Sequence, residues 1–370
     1  MTAPWLARPR RPYIVAEIGV NHDGSVGRAL ELVDAAASAG ADAVKLQFFR
    51  TDLLLSGAAK LASYQRAAGE ADPAAMLRRL ELSIDELARV ADRARSRGLD
   101  PIVTVFSVAL VADAERVDWA VYKTASPDIV HKPLLDALAA TGRPMIVSTG
   151  AATMEEVRRA VGWLAPARDR LALLQCVSAY PTPIEHAALG GVVALREEFG
   201  VPIGYSDHTR EVETGARATD AGAEILEKHL THSRSAAGPD HAASLEPAQF
   251  AIYAQRARQA ALAPAGVSRT EPGGAGVSRT EPSGTGVSPV RSEHAFEKAV
   301  QPIERDVRLR SRQSLVAARA LAAGDRIARA DLTVKRPGDG IGPWRLEETI
   351  GRVAARAIHA DTPITEDDLA

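Results

Sequence analysis

The chain of 370 residues is poor in several things, and each shortage removes a class of protein. It has a single cysteine, Cys176, which excludes an intramolecular disulfide framework and a zinc cluster built on thiolates. Aromatic residues are only 4% of the chain, so a core drawn from its 46% apolar share must rest on Ala, Leu and Val. Net charge is −2, too little to recruit nucleic acid or an acidic membrane. No apolar run approaches the roughly 20 residues of a membrane span. The N-terminal MTAPWLARPRRP is too short and too rich in Pro and Arg for a signal sequence. A soluble, cytoplasmic protein is expected, with small molecules as its partners. Its length suggests two domains, one of them large.

What is present is a repeated strand–helix unit. Tyr13 to Ala16 reads as an apolar strand ending on Glu17. A Gly/Asn/His/Asp/Gly turn and an amphipathic helix follow, with apolar Ala29, Leu32, Val33 and Ala36; Gly40 stops the helix. A second strand, Ala43 to Leu46, carries Lys45 and precedes Gln47. Further strands are predicted at 102–106, 120–123, 145–147, 171–177, 202–205 and 224–227. Helices are predicted at 87–95, 109–115, 133–140, 153–163, 185–199, 212–221 and 247–262. Thr153 and Glu156 stand at capping-box distance. Eight strands alternating with helices over about 250 residues predict a (β/α)8 TIM barrel at 1–262, with a doubly wound sheet as the alternative. Residues 263–307 form a linker containing AGVSRTEPGG, AGVSRTEPSG and TGVSPVRSEH, a repeat too poor in apolar residues to bury a core. Residues 308–370 show short strands around Gly/Pro-rich turns. That is small for a domain standing alone, so it is expected to dock on another surface.

Active sites of parallel α/β folds lie at the carboxyl ends of the strands. His208, in GYSDHT, and His229, in LEKHLT, follow successive strands and should meet at that rim. Two imidazoles with no thiolate suit a divalent transition metal with open positions, a Lewis-acid role rather than a structural one. Lys45, Thr104, Lys123, Ser126, Ser148, Ser178 and Ser206 also fall at or just beyond strand ends. Lysine is a compact point charge suited to phosphate, so this rim predicts a phosphorylated, anionic substrate. Each lysine lies in an otherwise apolar strand, where an unpaired charge is costly. Glu17 could bind a hydroxyl, orient a metal-bound water or act as a base, and Asp240 could hold sugar hydroxyls or simply be a solvated loop carboxylate.

EIGVNHDGS, GADAVKLQ, the LLLS…YQ segment at 53–65, STG, YPTP, GYSDHT, EKHLT, GPDHAASLEP and VKRPGDGIGP follow one another in order. With these the chain resembles the N-acetylneuraminate (sialic acid) synthase family, which includes legionaminic and pseudaminic acid synthases. The resemblance implies a (β/α)8 barrel followed by an antifreeze-like (SAF) domain, and a domain-swapped homodimer in which that domain covers the partner's site. It implies condensation of phosphoenolpyruvate with an N-acylmannosamine-type sugar, using a divalent metal, with Mn2+ first and Mg2+ or Co2+ as alternatives. By that resemblance His208 and His229 are the metal ligands. Lys45, Thr104, Lys123, Ser126, Ser148 and Ser206 bind phosphoenolpyruvate. Gln47, Tyr180 and Asp240 hold the sugar, Glu17 lies beside the reacting carbonyl, and Arg336 crosses the dimer to the N-acyl group. Three departures bear on the sugar: Ser126-Pro127-Asp128 where SGE is common, Ser178 where Asn is frequent, and Gln175 in LLQC for LLHC. Asp128 and Ser178 remain candidate substrate contacts. The alternatives are an inactive binding relative, or another phosphoenolpyruvate–aldose condensing enzyme on the same barrel.

Overall fold

The structure, a computed structural model, describes residues 3–7, 11–262 and 297–370. The repeat falls outside the described residues. Eight parallel strands close into a barrel in chain order: β1 (Tyr13–Gly19), β2 (Ala43–Phe48), β3 (Asp100–Val105), β4 (Val121–Thr124), β5 (Met145–Ser148), β6 (Leu171–Cys176), β7 (Ile203–Asp207) and β8 (Ile225–His229). The (β/α)8 architecture expected from the strand count is the one observed.

Strand alternation sorts the side chains into two cores. Ile14, Ala16 and Ile18 of β1, and their equivalents around the barrel, face the surrounding helices. Tyr13, Val15, Ala43, Ile102, Val121, Ile146, Ala172, Leu174 and Ile225 fill the lumen. Trp5 and Ala3, from the N-terminal turn, pack into the same cluster. The next lumen-facing position on several strands is polar, and there the apolar filling stops. Gly204 lets β7 and β8 approach closely, since a Cβ at that position would meet the Ile225 backbone carbonyl and the Leu174 side chain well inside contact distance.

Caps set the helix starts. Ser25 accepts from the Arg28 amide, and Ser83 and Thr153 each form a capping box, with Glu86 and Glu156. Three short helices between β2 and β3, Thr51–Leu54, Ser63–Ala67 and Pro73–Leu80, were not expected. The helix expected from 185 begins only at Gly190: Ala188 turns into φ of 50°, and its carbonyl accepts from Gln175 Nε2 at 3.2 Å. The helix expected over 212–221 spans Thr214–Asp220. Among the described residues no helix is long and apolar enough to cross a membrane.

After residue 297 the chain crosses the barrel rim through the helix Arg305–Ser311 and enters a small domain. Strands β9 (Ser314–Ala317) and β10 (Leu332–Lys335) pair antiparallel over a separate core that includes Leu315, Leu321, Ile327, Ile341 and Ile358. This domain docks on the barrel of the same chain. Arg336 N donates to Leu54 O at 2.8 Å, and Ser56 N donates to Arg336 O at 3.0 Å. Gly57 N donates to Asp361 Oδ2 at 2.8 Å.

Candidate active site

A cleft opens at the carboxyl ends of the strands. Its floor is built by register: Glu17 pairs with Lys45 on one side and His229 on the other, Thr104 with Lys123, and Ser206 with Glu227. The cleft is lined by Lys45, Gln47, Thr104, Lys123, Ser126, Ser148, Ser178, Tyr180, Ser206, His208, His229, Asp240 and Arg336. All of these were candidates from sequence. Glu17 and Asp128, also candidates, are fully buried and do not line the cleft.

The two lysines are buried, and each is met by a carboxylate. Lys45 Nζ pairs with Glu17 and donates to Thr104 Oγ1 at 3.2 Å. Lys123 Nζ lies 3.0 Å from Glu227 Oε1, which also accepts from Ser206 Oγ at 2.8 Å. Burial opposes the charge on Lys45, but Glu17 and Glu227 together raise its pKa. Burial likewise opposes the charge on Glu227, yet Lys123 and Lys45 hold it below the ordinary carboxylate range. Glu17 goes the other way, pushed up by burial despite Lys45. The floor is therefore a compact alternation of charge, shielded from water. Above it the hydroxyls of Ser148 and Ser178 are buried and make no hydrogen bond among the described residues. Gly150 keeps that space open, because a Cβ there would come within 3.0 Å of Ser126 Oγ, Ser178 Oγ and Cys176 Sγ.

Glu227 was missed by sequence reasoning. It stands two residues before His229 on the same strand, so the period of two already placed it on the lumen face.

The rings of His208 and His229 lie 5.3 Å apart, centroid to centroid. His208 Nδ1 sits 2.8 Å from Val177 O, which fixes the Nδ1–H tautomer and leaves Nε2 as a lone-pair donor. Burial holds His229 neutral, its pKa well below the usual value, with the cationic neighbours adding to the effect. Asp240 Oδ2 lies 3.6 Å from His229 Nδ1, and burial raises its pKa to about 6. Among the described residues no group of three or more His, Cys, Asp or Glu gathers into a complete metal cage. The donor set is thus an open one. Two imidazoles suit a first-row divalent ion that keeps positions for water and substrate.

The outer part of the cleft is apolar on one side and aromatic on the other. Val20, Phe49, Leu54, Met76, Leu80 and Phe106 form one cluster. Tyr180 packs against His208 at 4.1 Å and Tyr64 at 4.9 Å. Arg336 enters from the small domain with its guanidinium 5.8 Å above the Phe106 ring. Of the three departures, Ser178 and the Ser126-Pro127 part of the first line the cleft, whereas Asp128 and Gln175 do not. Asp128 Oδ1 accepts from Gln313 Nε2 at 2.7 Å, and Gln175 faces the loop at Ala188.

Barrel, rim and cap together define a two-domain protein in which a (β/α)8 unit works beneath a SAF domain. The sequence pattern of the NeuB family matches residues 32–268, and that of the SAF domain matches 312–370. The chain belongs to the NeuB family. It is 30% identical to N,N'-diacetyllegionaminic acid synthase of Campylobacter jejuni over 362 residues, covering 96% of this chain and 100% of the relative. It is 32% identical to the enzyme of that name from Legionella pneumophila, covering 95% and 93%. Among solved structures, spore coat polysaccharide biosynthesis protein spsE of Bacillus subtilis superposes with a TM-score of 0.77 at 27% identity, covering 98% of this chain and 96% of that one.

Proposed function

We propose that this chain condenses phosphoenolpyruvate with an N-acylmannosamine-type sugar, either N-acetylmannosamine or a 2,4-diacetamido-trideoxy hexose, to give a nine-carbon sialic-type acid and inorganic phosphate. The observation that carries the reading is the pair of buried lysines under a ring of hydroxyls, directly beside two imidazoles on β7 and β8. In this reading Lys45 and Lys123, with Thr104, Ser126, Ser148, Ser178 and Ser206, bind the anionic groups of phosphoenolpyruvate and hold its enol carbon against the sugar aldehyde. Glu227 and Glu17 keep the two ammonium groups in place. Gln47, Tyr180 and Asp240 orient the open-chain sugar, and Arg336 takes its N-acyl end. A divalent metal held by His208 and His229, with Mn2+ first and Mg2+ or Co2+ as alternatives, would supply Lewis acidity at the aldehyde oxygen. Carbon C3 of the enol bonds to the aldehyde carbon. Water adds at C2, and the C2–O bond to phosphate breaks, so one phosphate leaves per acid formed. The homodimer with exchanged caps that the resemblance implies would use the same Arg336 contacts between two copies.

Phosphate release from phosphoenolpyruvate with Mn2+ tests this across N-acetylmannosamine, its 6-phosphate and 2,4-diacetamido-trideoxy hexoses. Release that depends on one of these sugars is expected. No release with any of them overturns the proposal, and release only with arabinose 5-phosphate or erythrose 4-phosphate would assign a different condensing reaction.

A further inference from the structure

Glu304 belongs to the segment that links the two domains, yet it is fully buried against the barrel rim. Its Oε1 accepts from two backbone amides on different loops, Ala151 N at 2.6 Å after β5 and Ser178 N at 2.7 Å after β6. Its Oε2 accepts from Gln301 N at 2.8 Å, so the carboxylate is anchored to its own turn. These two loops present Ser148 and Ser178, whose buried hydroxyls have no partner among the described residues.

Ala151 is held from both sides. Its amide is taken by Glu304, and its carbonyl accepts from Arg312 Nη2 at 2.9 Å and also from Arg308. It adopts φ of 49°, a left-handed conformation that is unfavourable for a non-glycine residue. Such a conformation persists where its surroundings over-determine it. One residue earlier, Gly150 N donates to Ser126 Oγ at 3.0 Å, tying the β4 loop to the same turn. Arg308 and Arg312 also bind Glu156, which caps the next helix. One linker side chain thus sets the spacing of serines drawn from β4, β5 and β6.

We propose that Glu304 is a positioning residue for phosphoenolpyruvate: it bridges the β5 and β6 loops and fixes the hydroxyls that receive the anion. The inference rests on the reading above that these loops bind phosphoenolpyruvate. What matters in this role is reach. A carboxylate shortened by one methylene retracts about 1.5 Å and cannot serve both loops from the same anchor. A glutamine keeps the reach and offers one oxygen to both loop amides, while it loses the acceptor for Gln301 and the charge that faces buried Lys298 and Arg312.

The test is the KM for each substrate, kcat and the melting temperature of E304A, E304D and E304Q, with calorimetric titration of phosphoenolpyruvate alone. E304A and E304D are expected to raise the KM and Kd for phosphoenolpyruvate about tenfold, the loss of a buried hydrogen bond that bridges the two loops. The KM for the sugar is expected to stay within about twofold, and E304Q is expected to recover most of the affinity. Equal behaviour of E304D and E304Q, a parallel rise in both KM values, or a fall in melting temperature with unchanged phosphoenolpyruvate affinity would each overturn it. A wild type that binds phosphoenolpyruvate without turning over would refute the proposed reaction, while the calorimetric ratios still decide the role of Glu304.

Discussion

Asp128 is fully buried, and burial raises its pKa from an ordinary 3.8 to about 6, although Arg336 and Gln313 oppose the shift. The sign of its effect on stability follows by linkage. A carboxyl with a raised folded pKa binds its proton more readily in the folded state, so stability falls as pH rises from about 4 through about 6. Asp128→Asn keeps an oxygen for Gln313 and removes the charge. Thermal melts should show the variant gaining on the wild type between pH 5 and 7.5, by on the order of 2 kcal/mol at the upper end. A gap that does not widen with pH would count against this account. His208 and His229 carry a different expectation. Replacing either with Ala should cost at least about 100-fold in turnover, since even outer-shell partners of a metal ligand cost 10–100-fold. Chelation should silence the wild type and Mn2+ should restore it, whereas circular dichroism of both variants should match the wild type. Much of this site is legible in the sequence, because charges inside apolar strands that alternation turns inward, as at Lys45 and Lys123, mark the floor of the cleft. Glu304 is not legible: its partners are backbone amides more than a hundred residues away, and no side-chain pattern marks them.

At the scale of elements, strand alternation is the information that transfers best from sequence to structure. Tyr13, Val15 and Glu17 turn inward together, and Ile14, Ala16 and Ile18 turn outward. The same rule explains Lys228, which looks like a third site lysine but faces outward, 3.2 Å from Asp207 with its ammonium 5.6 Å from the Tyr253 ring. The short helices between β2 and β3 could not be read, because segments of four, five and eight residues carry too little period to separate a helix from a loop. Close strand approach is equally hidden until neighbours are known. Gly204→Ala should force a methyl group against the Ile225 carbonyl and destabilise the barrel by about 1–3 kcal/mol. Urea denaturation would read this, and an unchanged midpoint would show that β8 yields at no cost.

For the whole molecule, the question is which chain caps which barrel. Here Arg336 reaches the cleft of its own chain through backbone bonds to Leu54 and Ser56. In the proposed homodimer with exchanged caps, a mixture of inactive Arg336→Ala and inactive His208→Ala chains should regain turnover, since a hybrid pair contains one intact site. No recovery on mixing would mean that each chain caps its own barrel. The sequence marks the small domain through VKRPGDGIGP, and the exchange of caps enters only through the family resemblance, because both arrangements use the same contacts.

Trp5 and Ala3 pack against the apolar residues that fill the lumen below the lysines. Among the described residues the barrel is therefore filled at that end, and its polar cleft opens at the other. In the proposed reading, phosphoenolpyruvate on the lysine floor lies deeper than the sugar under Arg336, so initial-rate kinetics should show ordered addition with phosphoenolpyruvate first.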